Sequence, residues 1–152
     1  MIKLAQRSIA INTSAENLFK FVSNMENYKT WFPGVIDIRS FNDLAHGTKG
    51  KQYKEVLLMP DGESELIISV VNSTQNQFFQ THGDLAEILP QMTIELKESA
   101  EKVCDINLQY HSRNSALNKN SDLISILQND LTARSHTALT TLKRIMEDNK
   151  KA

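Results

Sequence analysis

The spacing of apolar residues changes along the 152-residue chain, and each change predicts a new secondary-structure element. Residues Ile2 to Ile11 alternate apolar and polar positions, which predicts a first strand. From Ala15 onward the apolar residues follow at three- and four-residue spacing instead, which predicts an amphipathic helix. Thr13 and Glu16 form a T-x-x-E pattern, so we expect a capping box to begin this helix at Thr13.

A second short helix is predicted directly after the first. Asn24 is a cap-type residue, and residues 25–31 form the helical segment that follows it. Pro33 ends this segment, because the residue before a proline is pushed out of helical geometry. Gly34 then gives the chain the conformational freedom to turn into a strand predicted over residues 35–41.

The middle of the chain has the pattern of an antiparallel meander. Strand-like runs with alternating apolar residues are separated by turn-forming segments at 46–50, 59–63, 72–76 and 98–102. Pro90 marks a strand start or an edge, because proline cannot donate to a strand ladder. The predicted structure from residue 35 to residue 110 is therefore a series of hairpins.

A long helix is predicted over residues 118–148, after a polar connection at 112–121. A seven-residue apolar repeat supports it, comprising Leu117, Ile124, Leu131, Ala138 and Ile145, with Leu127 and Leu142 broadening the stripe. The whole pattern predicts an α+β fold in the order β-α-α-β6-α. A curved antiparallel sheet of six or seven strands would wrap around the C-terminal helix in one domain, residues 1–152, and would enclose a cavity.

Composition narrows the class of protein. Hydrophobic residues make up 40% and charged residues 23% of the chain, as in ordinary globular proteins. The formal charge of -1 and the dispersed charges do not favour nucleic acid as a partner. The sequence has no apolar run long enough for a membrane span and no signal-peptide pattern, and its single cysteine, Cys104, fits a reducing compartment. We therefore expect a cytoplasmic protein without integral membrane association, either a monomer or a weak homodimer.

The segment INTSAENLFKFVSNMENYKTWFPGV, with Tyr28, Trp31 and Pro33 at this spacing, carries a family resemblance. Together with the six predicted strands and long helix behind it, it resembles the START-like (SRPBCC) helix-grip superfamily, especially the polyketide cyclase/dehydrase and lipid-transport branch. The resemblance covers nearly the whole chain and implies the helix-grip fold. Members include lipid carriers, quinone-binding proteins and cyclase enzymes, so the fold alone does not select a function.

The resemblance implies a cavity between the sheet and the C-terminal helix. The candidate ligand-binding residues are Trp31, Phe32, Tyr53, Leu57, Phe78, Gln80, His82, Met92, Ile106, Leu108, Tyr110, Leu127, Gln128, Leu131, Arg134 and Ser135. Such a lining would be largely apolar with a few polar groups, which suits a hydrophobic molecule of modest polarity.

Several of these candidates have two interpretations. Gln128, Arg134 and Ser135 flank the apolar stripe of the long helix, so they either orient a polar part of a ligand or mark the helix edge that meets water. His82 either faces the cavity or is an exposed or core histidine near a strand end. Trp31 either contacts the entrance or packs between helix and sheet.

No catalytic or metal site is predicted. Histidines 46, 82, 111 and 136 lie far apart and form no metal-binding motif, and we match no catalytic motif of the cyclase enzymes. We therefore expect no metal, no cofactor and no assignable catalytic residue.

The leading functional hypothesis is binding or carriage of a small hydrophobic molecule, such as a lipid, a quinone or an aromatic polyketide-like compound. The first alternative is an aromatase- or cyclase-like enzyme in which Tyr53, His82, Tyr110 or Arg134 moves a proton or polarises a carbonyl. The second is a protein-interaction module whose cavity has collapsed. A cavity of roughly 300 Å³ or more would favour ligand binding or catalysis, and a filled core would favour the interaction module.

Overall fold

The computed structural model describes residues 1–148 and contains seven strands, three α-helices and two 3₁₀ segments within that range. The strands are β1 (Ile2–Ile11), β2 (Val35–Ser40), β3 (Gln52–Met59), β4 (Gly62–Thr74), β5 (Phe78–Gly83), β6 (Pro90–Ala100) and β7 (Val103–Ser112). The α-helices are α1 (Ala15–Val22), α2 (Tyr28–Trp31) and α3 (Ser121–Asp148), and the 3₁₀ segments are Met25–Asn27 and Ser115–Lys119.

The strands form one antiparallel sheet in the order β1-β7-β6-β5-β4-β3-β2. Strands β2 to β7 follow one another as hairpins, and β1 pairs with β7 at the far edge. Register shifts interrupt four of the strand pairs, and shifts of this kind bend a sheet. The curved sheet surrounds α3, so the predicted α+β helix-grip architecture is confirmed.

The start of α1 differs from the prediction. Ser14, and not Thr13, is the N-cap: its hydroxyl accepts a hydrogen bond from the Asn17 N–H at 3.1 Å. The Thr13 N–H donates to the Ile11 carbonyl instead, at 2.9 Å, so Thr13 belongs to the turn that follows β1. The predicted capping box between Thr13 and Glu16 is therefore wrong by one residue.

The predicted second helix is present as a 3₁₀ turn continued by α2. Asn24 caps it through a hydrogen bond that its side chain accepts from the Glu26 N–H at 3.0 Å. Phe32 is extended, with φ of -102° and ψ of 121°, as expected of a residue before proline. Gly34 has a φ of 91°, a conformation that favours glycine, and the chain enters β2 directly after it.

The C-terminal helix begins three residues later than predicted. The 3₁₀ segment that precedes it contains Leu117, and α3 starts at Ser121, where the Asn120 side chain accepts from the Leu123 N–H. The buried face of α3 comprises Leu127, Ser135, Ala138, Leu139, Leu142 and Met146. Three positions of the predicted repeat, Ile124, Leu131 and Ile145, are only half-buried, because they lie at the border of this face.

None of the helices within residues 1–148 combines the length and the apolar composition that a membrane span requires.

Candidate functional site

A cavity of about 70 Å³ lies between the concave face of the sheet and the helices α2 and α3. Its lining is mostly apolar and comprises Met25, Tyr28, Phe32, Glu55, Leu57, Met59, Leu66, Ile68, Thr81, Gly83, Leu85, Ile88, Pro90, Met92, Tyr110, Leu127, Asp130, Leu131 and Arg134. The volume is well below the roughly 300 Å³ typical of small-molecule pockets and matches a few water molecules.

The structure brings some of the candidate residues to this cavity. These are Phe32, Leu57, Met92, Tyr110, Leu127, Leu131 and Arg134. They come from α3, from the end of α2 and from three strands.

Other candidates lie in the core beside the cavity. Trp31 packs edge-on against the Tyr28 ring at a centroid distance of 5.1 Å, and Ile106 and Leu108 are fully buried. Tyr53 is also fully buried, and its hydroxyl bonds to His46 Nδ1 at 2.6 Å. Ser135 on α3 is buried as well.

The remaining candidates lie away from the cavity. In β5, Thr81 and Gly83 line it, so Phe78, Gln80 and His82 point to the opposite face of the sheet, as strand alternation requires. His82 Nε2 there bonds to Gln91 Oε1 at 2.8 Å, and Gln80 donates to Thr93. Gln128 of α3 donates from its side chain to the Lys3 carbonyl at 3.1 Å.

Two tyrosines from different elements meet in the cavity wall. The hydroxyls of Tyr28 on α2 and Tyr110 on β7 lie 2.5 Å apart and form a buried hydrogen bond. The Phe32 ring stacks on Tyr28 and tilts against Tyr110, which fixes both rings. Burial raises the pKa of each tyrosine well above its ordinary value, so both hydroxyls keep their protons.

Glu55 on β3 is the unusual polar residue of this cavity. The residue is only 3% exposed, and its Oε2 atom has no hydrogen-bond partner among the described residues. Burial raises the pKa of Glu55 from 4.5 to about 8, although the positive charge of Arg134 opposes the change. At neutral pH most of the population therefore carries an uncharged carboxylic acid inside an apolar cavity.

Arg134 reaches the cavity from α3 and is held by two acceptors. Its Nε lies 3.1 Å from the Asp130 carboxylate one turn earlier, and its Nη1 donates to the Pro33 carbonyl at 3.3 Å. These contacts join α3 to the segment after α2. Among residues 1–148 the guanidinium forms an ion pair with Asp130 and none with Glu55.

Gly34 leaves room for this guanidinium. A Cβ atom at residue 34 would lie 2.1 Å from Arg134 Nη1, so we expect Gly34→Ala to displace the arginine as well as to strain a backbone of positive φ. The matched control is Gly50→Ala, since Gly50 has a similar φ of 95° and its added Cβ would meet only Leu44, at 3.3 Å.

Urea unfolding should show a loss of about 1–2 kcal/mol for Gly50→Ala and a larger loss for Gly34→Ala. Equal losses in the two variants would contradict the proposed clash with Arg134.

Tyr28, Glu55 and Asp130 were not among the sequence candidates. Glu55 shares a face of β3 with Tyr53 and Leu57, so the sequence showed its strand face, but nothing in the sequence marked it as buried. Asp130 lies four residues before Arg134, a spacing at which opposite charges pair on a helix. Tyr28 was recognised only as part of the family segment.

A groove of about 280 Å³ adjoins the cavity at one end. Met59, Leu85, Ile88 and Leu127 contact both spaces, so the cavity and the groove share part of their walls. The loop between β5 and β6 borders the groove. Two of its residues, Glu87 and Leu89, have positive φ values of 69° and 46°, which non-glycine residues adopt at a cost.

Within residues 1–148, no group of three or more histidine, cysteine, aspartate or glutamate side chains is arranged to hold a metal ion.

Comparison with known proteins identifies the fold. No protein-family model and no curated protein matches the sequence. Among solved structures, one domain of the aromatase/cyclase StfQ from the steffimycin biosynthetic pathway superposes with a TM-score of 0.72 at 12% identity, covering 99% of this chain. The chain spans about half the length of that di-domain protein, 53%.

Two other solved structures match over their full length. A START superfamily protein from Mycobacterium smegmatis is 12% identical, with a TM-score of 0.71, covering 96% of this chain and 98% of that one. The protein XoxI from Bacillus cereus is 17% identical, with a TM-score of 0.68 and 99% coverage of both chains. The chain therefore has the helix-grip fold of the START-like proteins, in agreement with the resemblance carried by its N-terminal segment.

Proposed function

We propose that the protein binds a small, uncharged hydrophobic molecule that carries one hydrogen-bonding group. The observation that carries this proposal is the cavity itself, whose apolar wall contains a few polar groups, chiefly Glu55 and the Tyr28–Tyr110 pair. Apolar burial would supply the affinity, and these groups would fix the orientation. Such molecules occur among lipids, quinones and aromatic polyketide-like compounds.

The charges around the cavity favour an uncharged ligand. Asp130 and Arg134 balance each other, and Glu55 is largely protonated at neutral pH. An anionic ligand would therefore add an unbalanced negative charge to a poorly solvated space. A cationic ligand would be repelled by the guanidinium of Arg134, which lies close enough to lower the pKa of Glu55.

The lining can adapt to a ligand larger than the present free volume. Three of the five methionines of the chain, Met25, Met59 and Met92, contact the cavity. Methionine is unbranched and adopts many rotamers at little cost. Movement of Met59 and Leu127 would join the cavity to the adjoining groove, so binding needs side-chain rearrangement and no change of fold.

A ligand screen tests the proposal. Thermal unfolding with a fatty alcohol, a short-chain quinone and an aromatic polyketide-like ketone should reveal stabilisation of about 2.7 kcal/mol by a ligand at a hundred times its dissociation constant. Native mass spectrometry of freshly purified protein should show the same class of molecule bound. The proposal is wrong if none of these classes binds.

Leu131→Trp supplies the site-specific variant. It fills the cavity from the half-buried edge of α3, so we expect it to weaken binding at least tenfold. Ile36→Trp is the control, because Ile36 is 48% exposed and contacts neither the cavity nor the groove. Equal affinities of the two variants would place the ligand elsewhere.

The small free volume favours one second candidate, a protein-interaction module with a closed core. A volume of about 70 Å³ holds few atoms beyond bound water. This candidate predicts that no compound of the ligand screen binds to the wild-type protein. It also predicts that Leu131→Trp destabilises the protein by overpacking its core.

A further inference from the structure

We propose that Glu55 and the Tyr28–Tyr110 pair form a proton-transfer centre that enolises a ketone bound in the cavity. This inference rests on the proposed function, because it needs a ligand in the same space. It adds an activity and a substrate class: a neutral hydrophobic ketone with hydrogen on the carbon next to its carbonyl.

The carboxyl of Glu55 is free to exchange a proton with a ligand. Its Oε2 atom has no partner among residues 1–148, and the neighbouring Arg134 donates to Asp130 and to the Pro33 carbonyl rather than to Glu55. A buried acid that served only structure would be expected to have its hydrogen bonds satisfied. A ligand within the cavity would supply the missing partner.

The tyrosine pair supplies a hydrogen-bond donor. In a bond between two hydroxyls, one donates its hydrogen and the other, as acceptor, keeps its own hydrogen for a further partner. This holds for either direction of the Tyr28–Tyr110 bond. Because burial opposes ionisation of both residues, the remaining O–H stays a donor at any moderate pH. It can therefore stabilise the negative charge that forms on a carbonyl oxygen.

The proposed step is balanced within the site. The Glu55 carboxylate removes a proton from the carbon next to the carbonyl, and the C–H electron pair forms a C=C bond while the carbonyl π pair moves to oxygen. The tyrosine O–H donates to that oxygen. The Glu55 carboxylic acid then returns a proton to the same carbon, which regenerates the ketone. If the ketone is β,γ-unsaturated, return of the proton to the γ carbon moves the double bond and isomerises the ketone. The step needs no oxidant, reductant or co-reactant.

The surroundings of Glu55 define the pH dependence. The titratable or charged groups that face the cavity are Tyr28 from α2, Tyr110 from β7, and Asp130 and Arg134 from α3; β4, β5 and β6 contribute uncharged side chains. Burial raises the pKa of Glu55 to about 8, so its basic form accumulates as the pH approaches 8. The rate should therefore rise with pH and level off above about 8.

Hydrogen–deuterium exchange of 2-tetralone in D₂O, followed by NMR, tests the inference. The wild-type protein should accelerate loss of the α-proton signals with saturation in ketone. Glu55→Gln should lower this catalysis at least a hundredfold, and Tyr110→Phe about tenfold to a hundredfold. Two controls should stay within twofold of wild type: Glu63→Gln, an exposed carboxyl of β4, and Tyr53→Phe, whose hydroxyl bonds to His46 outside the cavity.

Ligand-observed NMR on the same samples separates the two proposals. If 2-tetralone binds and its exchange is not accelerated, or if Glu55→Gln exchanges as fast as wild type, the proton-transfer centre is wrong and the binding function stands. If 2-tetralone fails to bind while another hydrophobic compound binds, the ketone class is wrong. If no compound of the ligand screen binds, both proposals are wrong.

Glu55→Gln preserves the size of the side chain, and its urea unfolding curve verifies that it folds.

Discussion

Glu55→Gln is expected to stabilise the protein at pH 9 and to destabilise it by about 1–2 kcal/mol at pH 4, where only the cost of burying the amide remains. Burial raises the pKa of Glu55 from 4.5 to about 8 in the folded protein. Between these two values the unfolded chain releases the proton while the folded protein keeps it, so rising pH favours unfolding. The loss of folding stability reaches its full size above about pH 8, where Glu55 is ionised in both the folded and the unfolded state.

The size of this effect follows from the pKa difference. Each pKa unit corresponds to about 1.4 kcal/mol, so raising the pKa from 4.5 to about 8 destabilises the folded state by roughly 4–5 kcal/mol at pH 9. Glutamine has nearly the same shape and cannot ionise, which removes the pH-dependent term. Its amide still has to be accommodated in the apolar cavity, so the net gain should be about 2–4 kcal/mol.

Urea unfolding at pH 5, 7 and 9 measures this prediction. The difference in unfolding free energy between Glu55→Gln and wild type should increase with pH over this range. Glu63→Gln, which alters an exposed carboxyl on the next strand, should follow the wild-type curve at each pH. A constant difference between Glu55→Gln and wild type would show that Glu55 has an ordinary pKa in the folded protein.

The fold was predictable because its signals are local. Proline restricts the backbone before it and glycine permits a positive φ wherever they occur, so Pro33 and Gly34 act locally. The change from alternating to helical spacing near Ala15 also needs no knowledge of distant contacts. The order of elements follows from such signals. Even the error at Thr13 is local, because Thr13 and Ser14 are both good caps and the choice depended on the turn after β1.

The site was less predictable because it depends on contacts between distant segments. In β5 both alternating sets mix an aromatic residue with polar or small ones: Phe78, Gln80 and His82 on one face, and Phe79, Thr81 and Gly83 on the other. Alternation shows that there are two faces, but only the pairing of β5 with its neighbours decides which face is concave. The burial of Glu55 likewise depends on α2, β7 and α3 closing over it.

Arg134→Met is expected to destabilise the protein by about 2–4 kcal/mol at pH 7, more than the loss of an ordinary helical ion pair. Both partners of the Arg134–Asp130 pair are mostly shielded from water, with side-chain exposures of 15% and 26%. The substitution leaves Asp130 without its cation and the Pro33 carbonyl without its donor. An uncompensated charge in poorly solvated surroundings costs more than the pair itself contributes.

The same helix provides the control. Lys143 pairs with Glu147 at the same four-residue spacing, but its side chain is 38% exposed, and Glu147 also accepts a hydrogen bond from the Asn12 N–H. Lys143→Met should therefore cost less than about 1 kcal/mol. Asp130→Leu combined with Arg134→Met should recover most of the lost stability, since no buried charge then remains unpaired. A double variant no more stable than Arg134→Met alone would contradict the electrostatic explanation.

Arg134→Met also tests whether Arg134 influences the protonation of Glu55 in the cavity. The arginine lowers the pKa of Glu55, so its loss should raise that pKa further and shift the proton-release step of Glu55 to higher pH. If Glu55 is the base that enolises a bound ketone, the pH profile of 2-tetralone exchange should move in the same direction. A change in stability without any movement of the exchange profile would mean that Arg134 supports the fold and does not influence Glu55.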